Sequence, residues 1–316
     1  MKRILAVMLA VLLVLCLCAC GGSDTNSPAA PAPEAAPEQP AAPDTQPESP
    51  APQETETEPA EVPAPSEPVD GEVVLIDNDE CTITATGLEY DKWSGYSLNV
   101  RLENKSSAVT YRFDLDGAAV NGVDTAGILY ECVAPGKIAN SSVSIMDSAL
   151  VEAVPEVTDI ELLFNVHDDN DYSADSVVTE PVHYYPYGEG AASVYVRAPQ
   201  PTDTVLVDND QITVVVTGYE ADDYFYSVNL YIENKTDTRL MFTADDTSVN
   251  DIMCDPHWAE TVAANKVRFS QMDWVVIDLT DNKITEVKNI EMTLRAYDYD
   301  DWSADDIYKE VVTLNP

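Results

Sequence analysis

Positively charged side chains are scarce in this sequence. The 316 residues include 16 Lys and Arg against 57 Asp and Glu, which gives a formal net charge of −41. Proteins bind nucleic acid largely by neutralising its phosphates with Lys and Arg, so we expect no nucleic-acid partner. The same surface repels an anionic membrane or wall polymer. A solubilising surface is the simplest explanation of the carboxylates, and a halophilic source would give the same balance.

Histidine and catalytic motifs are also scarce. The three histidines are His167, His183 and His257, and none recurs at the equivalent position of the internal repeat described below. The sequence has no Gly-x-Ser-x-Gly, His-Glu-x-x-His, P-loop or dinucleotide fingerprint. Pairs of carboxylates arise by chance in so acidic a chain. We therefore expect that the protein is not an enzyme.

Cysteines are few, and they do not follow the repeat. Three lie at the N-terminus and three in the rest of the chain: Cys16, Cys18, Cys20, Cys81, Cys132 and Cys254. No pair of cysteines occurs in both copies of the repeat, so the fold cannot depend on a disulfide. Cys81 stands where the second copy has Ile212, which predicts a small, buried, apolar side chain.

Only one long apolar run occurs, and it lies at the N-terminus. Ile4 to Leu17 follows a basic start, and Leu17-Cys18-Ala19-Cys20 closes it. Its length is typical of a signal peptide and short for a membrane span. The closing residues resemble the lipobox of bacterial lipoproteins. This resemblance implies that residues 1–19 are a lipoprotein signal peptide. It also implies that Cys20 carries a lipid holding the chain on the extracellular face of the bacterial cell membrane. An ordinary secretory signal cut elsewhere is the alternative.

Residues 20–70 lack the side chains that build a core. Within Ser23 to Asp70 there are thirteen prolines, many Ala and Glu, and no aromatic residue, Lys or Arg. Such a segment cannot bury enough apolar surface to offset the entropy of ordering. The composition predicts a disordered Pro/Glu/Ala-rich tether that holds the rest of the chain away from its anchor.

The remaining sequence is written twice, with about 130 residues between equivalent positions. Val74–Asp79 (Val-Leu-Ile-Asp-Asn-Asp) recurs as Val205–Asp210, and Glu103-Asn104-Lys105 recurs as Glu233-Asn234-Lys235. This duplication predicts two domains, at 71–184 and 203–316, joined by a connection at 185–202. We expect the tyrosines of this connection to pack between the two domains; a binding patch is the alternative.

Strand signals dominate both copies. Apolar and polar residues alternate through Cys81–Thr86 and Ser97–Leu102, and again at the equivalent positions of the second copy. Such alternation is typical of strands with one face on a core. No long stretch has helical periodicity, although Ala149–Val154 and Ile284–Val287 each suggest one helical turn. The pattern predicts an all-β fold of two tandem antiparallel β-sandwiches.

Several short motifs resemble an immunoglobulin-like (telokin-like) domain of unknown function found in lipoproteins of Gram-positive bacteria. They are the repeated openings, the Glu-Asn-Lys turns, Val120-Asn121 with Val249-Asn250, and Gly136-Lys137 with Asn265-Lys266. The resemblance implies an Ig-like sandwich for each copy. It implies no activity, because these residues specify strands and turns.

An acidic loop before the last strand of each copy is a candidate calcium site. Its carboxylates are Asp168, Asp169, Asp171 and Asp175 in the first copy and Asp298, Asp300, Asp301 and Asp305 in the second. Ca²⁺ takes six to eight oxygen ligands, but the spacing does not match an EF-hand loop. The alternative is a solvated connection with Asp in turn positions. Asp77-Asn78-Asp79 and Asp208-Asn209-Asp210 also read as turns, with a metal role only if they meet the acidic loops.

An aromatic loop is the second candidate site. Its residues are Tyr90, Trp93 and Tyr96 in the first copy and Tyr224 and Phe225 in the second. Flat rings on a surface give contact area at low entropic cost, so these residues are candidates for binding an extracellular protein or glycan. The alternative is that Tyr96 and its equivalent simply pack where the next strand begins.

The sequence therefore predicts a non-catalytic cell-surface lipoprotein that presents two Ig-like domains for binding or adhesion. The alternative is a calcium-stabilised structural spacer of the cell envelope without a ligand of its own. No cofactor other than Ca²⁺ is suggested.

Overall fold

The computed structural model describes residues 71–91, 95–145, 150, 153, 154, 156–171 and 173–316. The predicted signal peptide, the tether, Cys20 and Trp93 lie outside the described residues. The described residues form nineteen β-strands, one 3₁₀ turn and a six-residue α-helix, and Leu150 and Ala153 are also helical.

The strands of the first copy form two antiparallel layers. They are β1 (Val73–Asp77), β2 (Cys81–Asp91), β3 (Gly95–Asn104), β4 (Tyr111–Val120), β5 (Val123–Thr125), β6 (Gly127–Ile128), β7 (Glu131–Val133), β8 (Ile138–Ile145), β9 (Ile160–Asp168) and β10 (Val182–Tyr184). One layer has the order β1-β2-β3-β8-β6. The other contains β10-β9-β4-β5, with β7 also paired to β4.

The second copy repeats this arrangement. After the 3₁₀ turn Glu189–Ala191, its elements are β11 (Thr204–Asp208), β12 (Ile212–Ala221), β13 (Phe225–Asn234), β14 (Leu240–Val249), β15 (Ile252–Met253), β16 (Ala259–Val262), β17 (Val267–Val275), α1 (Val276–Asp281), β18 (Ile290–Asp298) and β19 (Tyr308–Leu314). One layer runs β11-β12-β13-β17. The other runs β15-β14-β18-β19, with β16 paired to β14. The predicted all-β sandwich fold is confirmed.

Each sandwich has its own hydrophobic core. The alternating residues of β2 and β3 point inward, and Ile83, Leu98 and Leu102 are fully buried. In the second copy the core includes Trp274 and Phe242. Cys81 lies in the first core, as its alignment with Ile212 predicts. The buried core residues of the described chain run from Cys81 to Leu314, so a chain beginning at residue 71 contains both cores.

The two copies also share one sheet. Strand β5 of the first copy pairs in parallel with β17 of the second, at Val123 and Val267. This pairing continues one layer of each sandwich into a nine-stranded sheet. The sequence indicated two independently cored domains and a connecting segment, but it gave no sign of this direct pairing.

The predicted helical turn at Ile284–Val287 is wrong. The helix that follows β17 lies at Val276–Asp281. Leu279 and Ile284 are both buried in the second core. The apolar residues that suggested a turn around Ile284 are therefore explained by packing of a loop.

Candidate functional site

The repeated Glu-Asn-Lys motif holds a buried asparagine. Asn234 is fully buried. Its Nδ2 donates to the carbonyl oxygens of Thr238 (2.8 Å), Val262 (3.0 Å) and Ala263 (3.1 Å). Its Oδ1 accepts from the backbone N–H (2.9 Å) and the hydroxyl (2.7 Å) of Thr236. One side chain thus ties the turn after β13 to the end of β16 and the residue that follows it.

The first copy uses Asn104 in the same way. It is also fully buried, and its Nδ2 donates to the carbonyls of Val109 (2.8 Å) and Val133 (2.7 Å). Its Oδ1 accepts from the backbone N–H of Ser106 at 2.9 Å. The asparagine of this motif is therefore a structural residue in both copies.

The lysine of the motif contacts the repeated Asp-Asn-Asp turn. In the second copy, Lys235 Nζ donates to Asp208 Oδ1 and to the carbonyl of Asn209, both at 2.8 Å. Asn209 Oδ1 accepts from the backbone N–H groups of Gln211 and Ile212, both at 2.8 Å. In the first copy Lys105, Asp77 and Asn78 make the equivalent contacts. These contacts are those of a turn stabilised by Asn and Asp.

The repeated Val-Asn motif forms tight hairpin turns. Asn121 and Asn250 have positive φ values of 48° and 50°, a conformation that Asn tolerates. Asn121 Oδ1 accepts from the backbone N–H groups of Thr158 (2.9 Å) and Asp159 (3.0 Å). Asn250 Oδ1 accepts from Lys288 N–H at 2.9 Å. These asparagines hold the connection before the next strand.

The acidic loops use their carboxylates locally. Asp171 Oδ1 accepts from the N–H (3.0 Å) and hydroxyl (2.6 Å) of Ser173, and Asp301 Oδ1 contacts Ser303 at the same two distances. Asp298 Oδ1 accepts from the backbone N–H of Asp300 at 2.8 Å. Each loop therefore has the hydrogen bonds of consecutive Asp-stabilised turns.

Arginine pairs with one further carboxylate in each acidic loop. Arg112 Nη2 lies 2.7 Å from Asp169 Oδ1, and Arg239 Nη2 lies 2.8 Å from Asp300 Oδ1. The hydrogen bond from Arg112 lowers the pKa of Asp169. Across the residues that the structure describes, no three His, Cys, Asp or Glu side chains come together as a metal site. The hydrogen bonds and ion pairs of the loops are those of Asp-stabilised turns held by one arginine each.

The aromatic loop of the second copy is exposed and firmly held. Tyr224 is 71% exposed and Phe225 is 42% exposed. Asp222 Oδ1 accepts from the N–H groups of these two residues, at 2.6 and 2.7 Å. The carbonyl of Tyr224 accepts from Val276 N–H at 2.8 Å, which places the loop beside α1 and its exposed Ile277. We call Tyr224, Phe225 and Ile277 the aromatic tip.

The aromatic loop of the first copy is only partly described. Tyr90 and Tyr96 are cross-strand partners in β2 and β3, with ring centroids 4.8 Å apart. Tyr96 packs against the first core, whereas Tyr90 is exposed. Because Trp93 lies outside the described residues, the tyrosine pair is what the structure shows of this candidate.

The junction between the copies is a polar and aromatic contact. Asp124 is buried there, and its carboxylate accepts from Ala263 N–H at 2.8 Å and lies 3.6 Å from Arg268. Burial raises the pKa of Asp124, although the Ala263 N–H and the Arg268 charge oppose this shift. Lys266 Nζ lies 2.6 Å from Glu161 of the other copy. Partly buried charge pairs of this kind fix a register.

The connecting segment packs over the junction. The N–H of Tyr195 donates to the carbonyl of Asn121 at 2.7 Å, and its ring meets Phe269 edge-on at 5.6 Å. Arg197 forms a two-armed pair with Asp203, both arms at 2.7 Å. This pairing lowers the pKa of Asp203 to about 2. A groove of about 860 Å³ lies beside the segment.

The sequence predicted that tyrosines of the connecting segment pack between the copies, as Tyr195 does on Phe269, but it did not predict the strand pairing at the junction. Ser193–Arg197 holds three consecutive apolar or aromatic residues, of which Tyr195 packs against the first core while Val194 and Val196 are exposed. The segment has no counterpart in the other copy, so it could be recognised as a contact between them.

Among the residues that the structure describes, the histidines and cysteines do not come together as a group of three metal-binding side chains. His183 Nδ1 lies 2.8 Å from Asp159 Oδ1, and its ring stacks on Tyr185. The backbone of His257 forms an isolated β-bridge with the backbone of Asp273. The described cysteines are not disulfide-bonded. Cys81 and Cys254 are buried and Cys132 is exposed. Burial raises the pKa of Cys81 to about 11, which suppresses thiolate chemistry.

No protein-family model matches the chain, and no curated protein matches it. Within the part of the chain that the structure describes, no helix has the length and hydrophobicity needed to cross a membrane.

Proposed function

We propose that this chain is a non-catalytic, lipid-anchored protein of the bacterial cell surface, and that its two Ig-like domains bind an extracellular protein or glycan. The aromatic tip carries the binding site. The observation behind this proposal is the exposure of Tyr224 and Phe225 on a hairpin whose backbone is fixed by Asp222.

A fixed hairpin favours binding for a physical reason. Exposed rings that must be ordered on binding lose entropy, whereas rings on a held backbone lose only side-chain freedom. Ile277 extends the apolar surface beside them. The carboxylate of Asp222 is occupied by two backbone N–H groups, so the rings supply the contact area and the acidic surroundings select against anionic ligands.

Glycan and protein arrays probed with residues 71–316 test the binding proposal. We expect a bound ligand class whose signal is lost in the Tyr224→Ala/Phe225→Ala double variant. Val311→Ala is the matched control, because Val311 is an exposed apolar residue on β19, and it should bind normally. Binding that survives loss of both rings, or silence on every array, contradicts the proposed role of the tip.

The lipid anchor is tested separately. Metabolic labelling with an alkynyl fatty acid should label the chain in a bacterial host that processes lipoproteins. Cys20→Ala should abolish the label, whereas Cys18→Ala, two residues away, should retain it. Label that persists in Cys20→Ala would refute the anchor and leave the binding proposal standing.

The spacer is the second candidate, and the junction favours it. The shared sheet and the Lys266–Glu161 pair fix one copy against the other, as a structural element requires. Its calcium-stabilised form predicts that millimolar Ca²⁺ raises the melting temperature of dialysed protein and that Asp301→Asn removes this effect. An unchanged melting temperature would count against calcium, and silence on the arrays would then leave a metal-free spacer.

A further inference from the structure

The internal junction joins two edges that each occur twice in the chain. It pairs the β5 edge of the first copy with the start of β17 in the second. Register identifies the equivalents: Val123 pairs with Val120 as Ile252 pairs with Val249. Similarly, Ile138 pairs with Glu103 in β3, and Val267 pairs with Glu233, the equivalent of Glu103, in β13. The unused edges are therefore β15 and the start of β8.

Both unused edges are apolar and exposed. Val123 is 1% exposed in the junction, whereas its equivalent Ile252 is 38% exposed and the adjacent Met253 is 62% exposed. On the other edge, Ile138 is 57% exposed. Each edge therefore presents to solvent the residues that the junction covers in the other copy.

The backbone of each unused edge has the geometry of its used equivalent. In the junction, Val267 N–H donates to the carbonyl of Gly122 at 3.2 Å. Gly122 and its equivalent Asp251 both have positive φ values, 80° and 65°, and each directly precedes its edge strand. The carbonyl of Lys137 accepts from β3, and because strand groups alternate in direction, the Ile138 N–H points away from β3.

The main charge pair of the junction is also duplicated. Lys266 pairs with Glu161 across the junction at 2.6 Å. Its equivalent Lys137 lies on the β8 edge, and the equivalent of Glu161 is Glu291, beside the β15 edge. Both are exposed, and among the described residues neither has an ion-pair partner. The two edges are therefore complementary in charge.

The other contacts of the junction are not repeated at the unused edges. Asp124 and Arg268 have the equivalents Met253 and Ala139, so a charge pair is replaced by an apolar pair. The connecting segment is not duplicated, and the equivalent of Phe269 is the polar Asn140. A contact between the unused edges therefore keeps the strand pairing and one ion pair but lacks the aromatic cover, and it is weaker than the internal junction.

We infer that the chain associates head to tail with a second copy of itself. The β15 edge of one molecule pairs with the start of β8 in the next, Ile252 opposite Ile138 and Glu291 beside Lys137. This contact is heterologous, so both molecules keep one free edge and further copies can add. The high negative charge opposes the association, which makes the contact weak and concentration-dependent.

Disulfide trapping of residues 71–316 tests this inference. Two chains carry Cys132→Ser, which removes the exposed thiol, and one adds Ile138→Cys while the other adds Ile252→Cys. Paired strands are about 4.8 Å apart, within the Cα separation that a disulfide spans. We expect covalent heterodimer from the mixture and only monomer from either chain alone. A Val311→Cys chain mixed with the Ile138→Cys chain is the control and should stay monomeric.

Charge variants then test the register. Lys137→Glu in the Ile138→Cys chain should lower the initial rate of heterodimer formation about two- to fivefold, the effect of one exposed ion pair. Glu291→Lys in the partner chain should restore it. The inference is overturned by equal yields from all pairings, by homodimers of either chain, or by no product at the highest soluble concentration. None of these outcomes bears on ligand binding by the aromatic tip.

Discussion

Replacing Asn234 with alanine removes a side chain that the sandwich surrounds completely. Two of the lost contacts are to Thr236 and three are to loop carbonyls at 2.8–3.1 Å. Each net hydrogen bond contributes about 0.5–1.5 kcal/mol, and orphaned buried groups add a desolvation penalty. Because two amide protons serve three carbonyls, we expect Asn234→Ala to lower the free energy of unfolding by about 3–5 kcal/mol.

The isosteric variant Asn234→Asp sharpens the test. It keeps the acceptor toward Thr236 but places a second oxygen against the three carbonyls. The new carboxyl must be buried as a charge or protonated. At neutral pH, Asn234→Asp should therefore lower the free energy of unfolding more than Asn234→Ala does.

Urea unfolding followed by tryptophan fluorescence measures both effects, because Trp274 is buried in the second core. Asn315→Ala is the control, since the exposed Asn315 makes one long contact of 3.5 Å. If Asn234→Ala lost no more than this control, the structural role assigned to the repeated asparagine would be wrong.

Three further predictions concern the junction and the thiols. Gly122 has φ 80°, and an added Cβ would lie 3.2 Å from Val194 Cγ1, so Gly122→Ala should cost about 1–2 kcal/mol in urea unfolding; an unchanged midpoint would contradict the tight turn. Arg197 depresses the pKa of Asp203 from 3.8 to about 2, so its stabilisation is present above pH 4 and fades as pH falls toward 2. The thermal deficit of Arg197→Ala should shrink over that window, and a constant deficit would exclude this electrostatic cause. Cys132 alone should react rapidly with a thiol reagent in the native fragment, and all three described cysteines should react after denaturation. Rapid reaction of more than one thiol in the native fragment would contradict the burial of Cys81 or Cys254.

Local patterns in the sequence were sufficient for the strands. Alternation in β2 and β3 reflects burial on one face, and the alternating apolar residues of both strands are buried as expected. Thr84 is also buried, which the alternation did not predict. The repeated Asn residues were correctly interpreted as turn residues. The complete burial of Asn104 and Asn234 was not predicted, because the sequence does not show that Val262 or Thr238 would cover Asn234.

Contacts between distant segments were beyond local reasoning. The pairing of Val123 with Val267 depends on how two sandwiches meet, and neither residue differs in type from its exposed equivalent. The aromatic tip was partly predicted, since Tyr224 and Phe225 were named, but Ile277 was missed because the helix that carries it was expected elsewhere. For the acidic loops the sequence offered two interpretations, a calcium site and a connection with Asp in turn positions, and the hydrogen bonds show the carboxylates used in turns.

The most direct test of the account is amide hydrogen exchange at two equivalent residues, measured by NMR on a dilute sample of residues 71–316. Val267 donates its N–H across the junction to Gly122, whereas Ile138 presents the equivalent N–H to solvent. We predict that Val267 exchanges about tenfold or more slowly than Ile138. Equal, fast exchange at both residues would show that the two copies do not share a sheet and would contradict the central claim.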